Sequence, residues 1–195
     1  MNRRITGLLL AGGQSTRMGF DKRNLQVNGE SLMQHLFNLL NNQCDEVYTS
    51  CKKESPVAKQ FNPIFDHYDF GGPLNGILSA MEFVTPGDLL ILAIDQPFVT
   101  KIHLDALCTT AGERDPIVAF QNSLRNSIEP FPSLWKSATL PLLQDFIKTN
   151  KPSPMDFMKT TSVHLIQSPD NRFLINLNRP EDLSAFKDLR GSADS

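Results

Sequence analysis

Six short runs of aliphatic and β-branched residues constrain the fold more than any other feature of this chain. They span Ile5–Leu10 and residues 47–50, 62–65, 89–94, 117–120 and 163–166. Stretches with helical spacing lie between most of them, at residues 32–40 after a Ser31 N-cap and at 56–60, 74–83, 101–110, 140–148 and 180–189. Strands that alternate with helices form βαβ units. We therefore predict an α/β three-layer sandwich whose mostly parallel sheet carries helices on both faces.

Length, charge and cysteine content narrow the class of protein. With 195 residues and a net charge of −2, the chain fits one domain of residues 1–190 followed by a disordered tail, 191–195. The basic residues form no long block, which argues against nucleic acid as a partner, and no apolar run approaches the ~20 residues of a membrane span. Cys44, Cys51 and Cys108 lack a Cys-x-x-Cys spacing, so we expect inert thiols in a reducing cytoplasm.

Residues 8–22 turn from an apolar run into a glycine-rich loop, Leu-Leu-Leu-Ala-Gly-Gly-Gln-Ser-Thr-Arg-Met-Gly-Phe-Asp-Lys. Gly12 and Gly13 let the backbone approach an anion closely, and Arg17 and Lys22 add positive charge. The spacing matches neither a Walker A loop nor the Gly-x-Gly-x-x-Gly of dinucleotide-binding enzymes. The pattern favours a phosphate site, and the alternative is an ordinary strand-to-helix turn in which Arg17 and Lys22 are solvated.

A single carboxylate, Asp95, directly follows the apolar run 89–94. Ligands of parallel sheets bind beyond the carboxyl ends of the strands. A hard divalent cation such as Mg²⁺ would compensate the charge there, because it takes one or two carboxylates and fills its other positions with water and phosphate. The alternative is that Asp95 begins a tight turn with Pro97 or caps the helix that starts near Lys101.

Two further segments carry recognisable patterns. Residues 66–77, Asp-His-Tyr-Asp-Phe-Gly-Gly-Pro-Leu-Asn-Gly-Ile, follow the third strand, and residues 173–183, Phe-Leu-Ile-Asn-Leu-Asn-Arg-Pro-Glu-Asp-Leu, lie near the C-terminus. Local evidence alone makes the first a turn that enters a helix. It makes the second a capping box between Asn178 and Glu181.

Together these four ordered motifs resemble those of the molybdenum cofactor guanylyltransferases, a branch of the nucleotidyltransferase family. The resemblance implies a single-domain, Rossmann-like three-layer sandwich of nucleotidyltransferase type. It also implies that Arg17, Lys22 and Asp95 are catalytic, and that Asp95 binds Mg²⁺. The implied substrate-binding residues are Leu10, Ala11, Gly12, Gly13, Lys22, Asp66, Gly72, Pro73, Leu74, Gly76, Asp95, Asn176 and Asn178.

The reaction implied by the resemblance transfers GMP from Mg-GTP to the terminal phosphate of molybdopterin and releases pyrophosphate. Its partners are GTP, molybdopterin or the molybdenum cofactor, and proteins that deliver or accept the cofactor. Leu-Ala-Gly-Gly at 10–13 and Asn-x-Asn at 176–178 favour GTP, whereas Asp-Gln-Pro at 95–97 is more typical of the sister cytidylyltransferases. The alternatives are such a CTP-using enzyme, another nucleotidyltransferase acting on a phosphorylated small molecule, or a non-catalytic nucleotide- or cofactor-binding module.

Two positions depart from the family pattern: Ser50 stands where the family often has Asn, and Arg179 where it usually has Thr. Residues 122–161 are rich in proline, and we expect them to be irregular, to cover the sheet edge or part of a substrate face, and to include a flexible loop at 150–154. Trp135 in this region is expected either in the core or as a platform for a ligand.

Overall fold

A seven-stranded sheet forms the centre of the fold in the computed structural model, which describes residues 4–12, 21–27, 29–55, 60–110, 114–123, 125–148, 152–168, 172–177 and 182. The strands are β1 (Ile5–Leu10), β2 (Gln26–Val27), β3 (Glu30–Ser31), β4 (Glu46–Cys51), β5 (Pro63–Phe65), β6 (Asp88–Ala93), β7 (Ile117–Asn122), β8 (Ser127–Trp135) and β9 (Val163–Gln167). The helices are α1 (Leu32–Asn41), α2 (Pro73–Val84), α3 (Lys101–Thr110), α4 (Thr139–Ile147) and α5 (Pro154–Thr160).

The strand order is β5-β4-β1-β6-β8-β7-β9, and β2 and β3 form a separate two-stranded hairpin. β1 pairs in parallel with β4 and β6, β4 with β5, and β7 with β9. β8 runs antiparallel to both of its neighbours, β6 and β7. All strands of this sheet except β8 therefore run in the same direction, which confirms the predicted mostly parallel α/β architecture.

Helices cover both faces of the sheet, as alternation along β1 illustrates. Leu9 belongs to a buried cluster with residues of α1 and α3, whereas Leu8 and Leu10 belong to a second cluster with residues of α2, α4 and α5. Burial of each large apolar side chain stabilises the fold by about 1.5–3 kcal/mol. The N-cap predicted for α1 is present, since Ser31 Oγ accepts a hydrogen bond from Gln34 N (3.2 Å). None of the helices in the described ranges is long and apolar enough to cross a membrane.

The helix predicted at residues 140–148 is present as α4. The expectation that the rest of residues 122–161 is irregular is wrong, because it contains the nine-residue strand β8 and the helix α5. Prolines hid the strand: Phe120 of β7 pairs with Glu129, whereas its predecessor Ala119 pairs with Ser133. Residues 130–132 thus form a bulge, where proline costs no ladder hydrogen bond.

The structure also decides the predictions for Trp135 and for part of the loop at residues 150–154. Trp135 is fully buried among core residues, so it is no ligand platform. In the predicted loop 150–154, Pro154 instead begins α5. The predicted helices at 56–60 and 180–189, the domain end at residue 190 and the tail 191–195 lie wholly or mostly outside the described residues.

Candidate active site

The central strands β1 and β6 are neighbours, and their carboxyl ends lie side by side. The boundary of the sheet formed by these strand ends is called its carboxyl edge. Leu10, the last residue of β1, pairs with Ser50 of β4 and with Ala93 of β6. Backbone hydrogen bonds continue this pairing past the strand ends, from Ala11 N to Ser50 O (3.2 Å) and from Ile94 N to Leu10 O (3.2 Å). The loops that follow these strands therefore leave the sheet together, which is where a parallel sheet binds its ligand.

A cavity of about 280 Å³ opens at this edge. Its lining includes residues predicted for the site, namely Leu10, Gly12, Lys22, Pro73, Asp95 and Asn176. It also includes residues that were not predicted, namely Ala93, Ile94, Gln96, Glu129, Pro130 and Phe131. One concave surface thus brings a lysine, an asparagine and carboxylates from two neighbouring strands together.

Asp95 lies directly after β6 and is partly buried. Burial raises the pKa of its carboxyl, and the charge of Lys22 opposes that rise. The Asp95 backbone carbonyl accepts a hydrogen bond from Leu177 N (2.8 Å), which fixes residues 175–177 against this loop. The first turn of α3 is closed by His103 N donating to Thr100 O (3.1 Å). The cap that was considered as an alternative role for Asp95 therefore lies elsewhere.

Asn176 also lines this cavity. Its Oδ1 is buried and has no hydrogen-bond partner among the described residues. Buried polar atoms are usually paired, so a ligand is the expected partner. Carboxylate and amide oxygens suit a hard divalent cation whose other positions hold water and phosphate. No group of three or more His, Cys, Asp or Glu able to hold a metal occurs in the part of the chain that is described. Asp95 and Asn176, which both line the cavity, would suit a cation that also binds a phosphorylated substrate.

Asp21 and Arg23 hold the turn that carries Lys22. Asp21 Oδ1 accepts hydrogen bonds from Arg23 N (3.0 Å) and Arg23 Nε (2.7 Å), and Arg23 donates a further one to Ser55 Oγ (3.1 Å). The hydrogen bond from Arg23 is the main reason that the pKa of Asp21 lies below its ordinary value. Arg23 thus serves the turn itself, whereas its neighbour Lys22 lines the cavity.

Asp66 follows β5 and is held from one side by Ser50. Ser50 Oγ donates to Asp66 Oδ1 (2.7 Å). Gly76 of α2 makes room for this contact, because a Cβ there would lie 1.9 Å from Ser50 Oγ and 3.1 Å from Asp66 Oδ1. The other carboxylate oxygen faces the β1 loop, since Oδ2 lies 3.6 Å from where a Gly12 Cβ would stand. Asp66 therefore presents one oxygen towards the glycine-rich loop.

The loop between Asp66 and α2 is shaped by backbone geometry and by one buried side chain. Gly72 has a φ of +95°, a conformation that disfavours other residues, and Pro73 begins α2. Leu74 is fully buried in the core, so it supports the loop from beneath. Asn75 was not predicted, yet its Nδ2 donates to Tyr68 O (2.8 Å) and its Oδ1 accepts from Tyr68 N (3.2 Å).

Sequence patterns missed Gln96 and Glu129. Gln96 is buried; its Oε1 accepts from Ala93 N (3.3 Å) and its amide donates to Phe131 O. Glu129 lies near the carboxyl end of β6 because β8 is antiparallel to β6, so that β8 begins where β6 ends. An available signal was the polar Glu129 within an otherwise apolar stretch. Gly13, Arg17 and Asn178 lie outside the described residues, and their roles stay predictions.

Comparison with known proteins supplies the family. The model of the MobA-like NTP transferase domain matches residues 7–164. The molybdenum cofactor biosynthesis bifunctional protein of Synechocystis sp. is 30% identical over 182 residues, which cover 91% of this chain but 52% of that protein. The chain thus spans about half the length of that relative. The molybdenum cofactor guanylyltransferase of Pseudomonas fluorescens is 31% identical over 186 residues, covering 91% of both chains.

A solved structure agrees on the fold. The crystal structure of molybdopterin-guanine dinucleotide biosynthesis protein A from Archaeoglobus fulgidus superimposes with a TM-score of 0.78 at 19% identity, covering 96% of this chain and 99% of that one. At this identity the likeness establishes a shared fold. The family match begins within β1 and includes the Lys22 turn, Asp95 and β8, whereas Asn176 lies beyond its end. This chain therefore belongs to the MobA-like NTP transferase domain family.

Proposed function

We propose that this protein is a molybdenum cofactor guanylyltransferase, which transfers GMP from GTP to the terminal phosphate of molybdopterin and releases pyrophosphate. The observation that carries the proposal is the convergence of Lys22, Asp95 and Asn176 in one cavity beside the β1 loop. Membership of the MobA-like family supports nucleotidyl transfer. The name of the Pseudomonas fluorescens relative, similar over nearly its full length, supports GTP and molybdopterin as the substrates.

The nucleotide occupies the side of the cavity that is formed by the loops after β1 and β5. The backbone of residues 10–12 approaches it closely, and Asp66 offers the carboxylate oxygen that faces Gly12. Lys22 stands where the triphosphate has its densest charge and neutralises the departing pyrophosphate. Arg17, predicted from the sequence for the same task, would add the bidentate contact that a guanidinium makes with phosphate.

Catalysis on this proposal consists of positioning and charge stabilisation. The acceptor phosphate attacks the α-phosphorus in line, and the bond to pyrophosphate breaks without a covalent enzyme intermediate. Asp95 and Asn176 would hold Mg²⁺, which supplies charge neutralisation at the phosphate oxygens when bound. The chain itself orients the catalytic side chains. The Asp95 carbonyl accepts a hydrogen bond from Leu177 N, and Lys22 lies in a turn that the hydrogen bond from Arg23 to Asp21 stabilises.

Gln96 bears on the choice between GTP and CTP. Asp-Gln-Pro is the sequence feature that favours a cytidylyltransferase, but both ends of the Gln96 side chain are engaged inside the protein, with Ala93 N and Phe131 O. Gln96 therefore stabilises the wall of the cavity, and both of its polar groups already have hydrogen-bond partners other than a nucleotide base. This reduces the weight of Asp-Gln-Pro and leaves the guanylyl proposal favoured.

A nucleotide competition tests the proposal. Purified protein with Mg²⁺ and molybdopterin is incubated with GTP, CTP, ATP and UTP, separately and mixed, and the dinucleotide products are separated by chromatography. We expect GTP to be preferred over CTP by at least tenfold, which corresponds to about 1.4 kcal/mol. Preferential CTP use would replace the guanylyl proposal with the cytidylyl one. Nucleotide binding without any product would instead favour a non-catalytic module.

A further inference from the structure

The start of β8 lines the part of the cavity that lies away from the proposed nucleotide site. In the strand order, β1 and β5, whose loops serve the nucleotide, lie on one side of β6, and β8 lies on the other. Asp95 follows β6 and marks the boundary between the two sides. Glu129 and Phe131 line the cavity from β8. An acceptor that reaches the α-phosphorus near Asp95 while the nucleotide covers the β1 loop must therefore extend over β8.

Glu129 is fixed in place before any ligand arrives. Asn122, which is buried, donates from Nδ2 to Glu129 Oε2 (3.3 Å), and its own Oδ1 accepts from Arg125 N (3.1 Å). Burial raises the pKa of Glu129; the hydrogen bond from Asn122 and the charge of Arg125 oppose that rise, and the charge of Asp95 adds to it. A second carboxylate so close to a triphosphate site opposes phosphate binding, which makes a group rich in N–H donors its natural partner.

Phe131 adds an aromatic side chain two residues further along β8, within the bulge. It is partly buried and packs against the core on the α2 face of the sheet. The Gln96 amide holds the Phe131 carbonyl, so the bulge is tied to the loop that carries Asp95. This contact fixes the backbone at Phe131, and an aromatic ring at such a position can stack against a flat heterocycle. A carboxylate and an aromatic ring thus stand together on the acceptor side.

We propose that residues 129–131, at the start of the β8 bulge, form a pterin subsite in which Glu129 accepts hydrogen bonds from the 2-amino and N3–H groups of the acceptor and Phe131 contacts its ring. This inference rests on the proposed function. The 2-amino-4-oxo edge of a pterin carries two adjacent N–H donors, which match the two oxygens of a carboxylate. Guanine carries the same pair of donors, but it belongs to the nucleotide, on the side where Asp66 offers an oxygen.

The test compares Glu129→Gln and Phe131→Ala with matched controls at the opposite edge of the sheet. Glu46→Gln and Phe83→Ala are suitable, because Glu46 begins β4 and the exposed Phe83 lies near the end of α2. Dinucleotide formation is measured at varied molybdopterin, GTP and Mg²⁺. We expect both test variants to raise the KM for molybdopterin by on the order of 10-fold while leaving the KM for GTP and the Mg²⁺ requirement near wild type. Both controls should keep all three values.

Two small inhibitors separate donor recognition from stacking. 6-Hydroxymethylpterin presents the 2-amino group, and 6-hydroxymethyllumazine presents a carbonyl oxygen in its place. Wild-type protein should bind the pterin about tenfold more tightly, Glu129→Gln should lose that preference, and Phe131→Ala should weaken both compounds alike.

Several results would overturn the pterin subsite. They are failure of wild-type protein to prefer the pterin, an unchanged molybdopterin KM in Glu129→Gln, or a raised Mg²⁺ requirement in that variant, which would make Glu129 a metal ligand. An increase confined to the KM for GTP would assign Glu129 to the nucleotide instead. The proposed function fails separately, when wild-type protein forms no dinucleotide from GTP and molybdopterin.

Discussion

Substituting Gly76 by alanine should weaken nucleotide binding and also destabilise the fold. Gly76 lies in the first turns of α2, where its missing side chain leaves space for Ser50 and Asp66. An added Cβ would fall 1.9 Å from Ser50 Oγ and 2.7 Å from Ser50 Cβ. Atoms cannot approach so closely, so Ser50 must move and its 2.7 Å hydrogen bond to Asp66 must break.

The two effects can be estimated separately. Alanine favours helix over glycine by about 0.8–1 kcal/mol, whereas overpacking a filled site costs about 1–3 kcal/mol. The broken hydrogen bond between Ser50 and the Asp66 carboxylate costs about 1.5–3 kcal/mol more. The free energy of unfolding should therefore fall by about 1.5–5 kcal/mol in total, which lowers Tm by about 3–20 °C in a chain of this size. Asp66, no longer held by Ser50, should also lose its proposed contact with the nucleotide; loss of one hydrogen bond to a charged group, about 1.5–3 kcal/mol, lowers affinity for GTP about 10- to 150-fold.

Calorimetric titration with Mg-GTP and a thermal melt measure these two quantities on the same sample. Gly71→Ala is the matched control, because a Cβ at Gly71 meets no atom of the described residues within 4 Å. Ser50→Ala removes the hydroxyl alone and should weaken GTP binding in the same direction. Because both substitutions break one contact, the double variant should bind GTP little worse than Gly76→Ala. Wild-type GTP affinity in Gly76→Ala would refute a nucleotide role for Asp66.

Three further substitutions test the rest of the cavity. Asp95→Ala should abolish turnover with little change in Tm, since it removes an oxygen ligand and also a partly buried charge; activity within a few-fold of wild type, measured by dinucleotide formation, would contradict this. Lys22→Ala should lower kcat more than it raises the KM for GTP, because charge on the departing pyrophosphate builds up in the transition state; steady-state kinetics with a raised KM alone would limit Lys22 to ground-state binding. Gln96→Leu should destabilise the protein by about 1–3 kcal/mol by leaving buried polar groups at Ala93 and Phe131 unpaired, which lowers Tm by about 2–12 °C; an unchanged thermal melt would show that these contacts are dispensable.

Local sequence patterns predicted correctly those elements whose structure depends on a single segment of the chain. The apolar run that ends at Leu10 is β1 over the predicted span, and the Ser31 cap begins α1 as expected. Asp95 could be placed at the cavity because a parallel strand delivers its next residue to the ligand-binding edge. The prediction needed the direction of β6 and nothing about its neighbours.

Features that depend on pairing between distant segments were not accessible in this way. Ser50 and Asp66 are 16 residues apart, and their contact exists because β4 and β5 lie side by side and because Gly76 leaves room. β8 was missed for a related reason: Pro130 and Pro132 argue against a strand in isolation. Only the pairing of β8 with β7 places both prolines in a bulge, where the ladder requires no donor.

The candidate site shows one recurring arrangement, in the cavity and beside it: the protein holds one oxygen of a carboxylate that faces the proposed ligand space. Ser50 holds Asp66 Oδ1, whereas Oδ2 faces the glycine-rich loop. Asn122 holds Glu129 Oε2, and Glu129 lines the cavity. Side chains tethered in this manner lose little further freedom on binding, so the contacts they make with ligands cost less entropy. A carboxylate held in place before the substrate arrives also needs no reorganisation during the reaction. For a reaction that requires no covalent intermediate, orientation of this kind is the contribution that the chain itself can make.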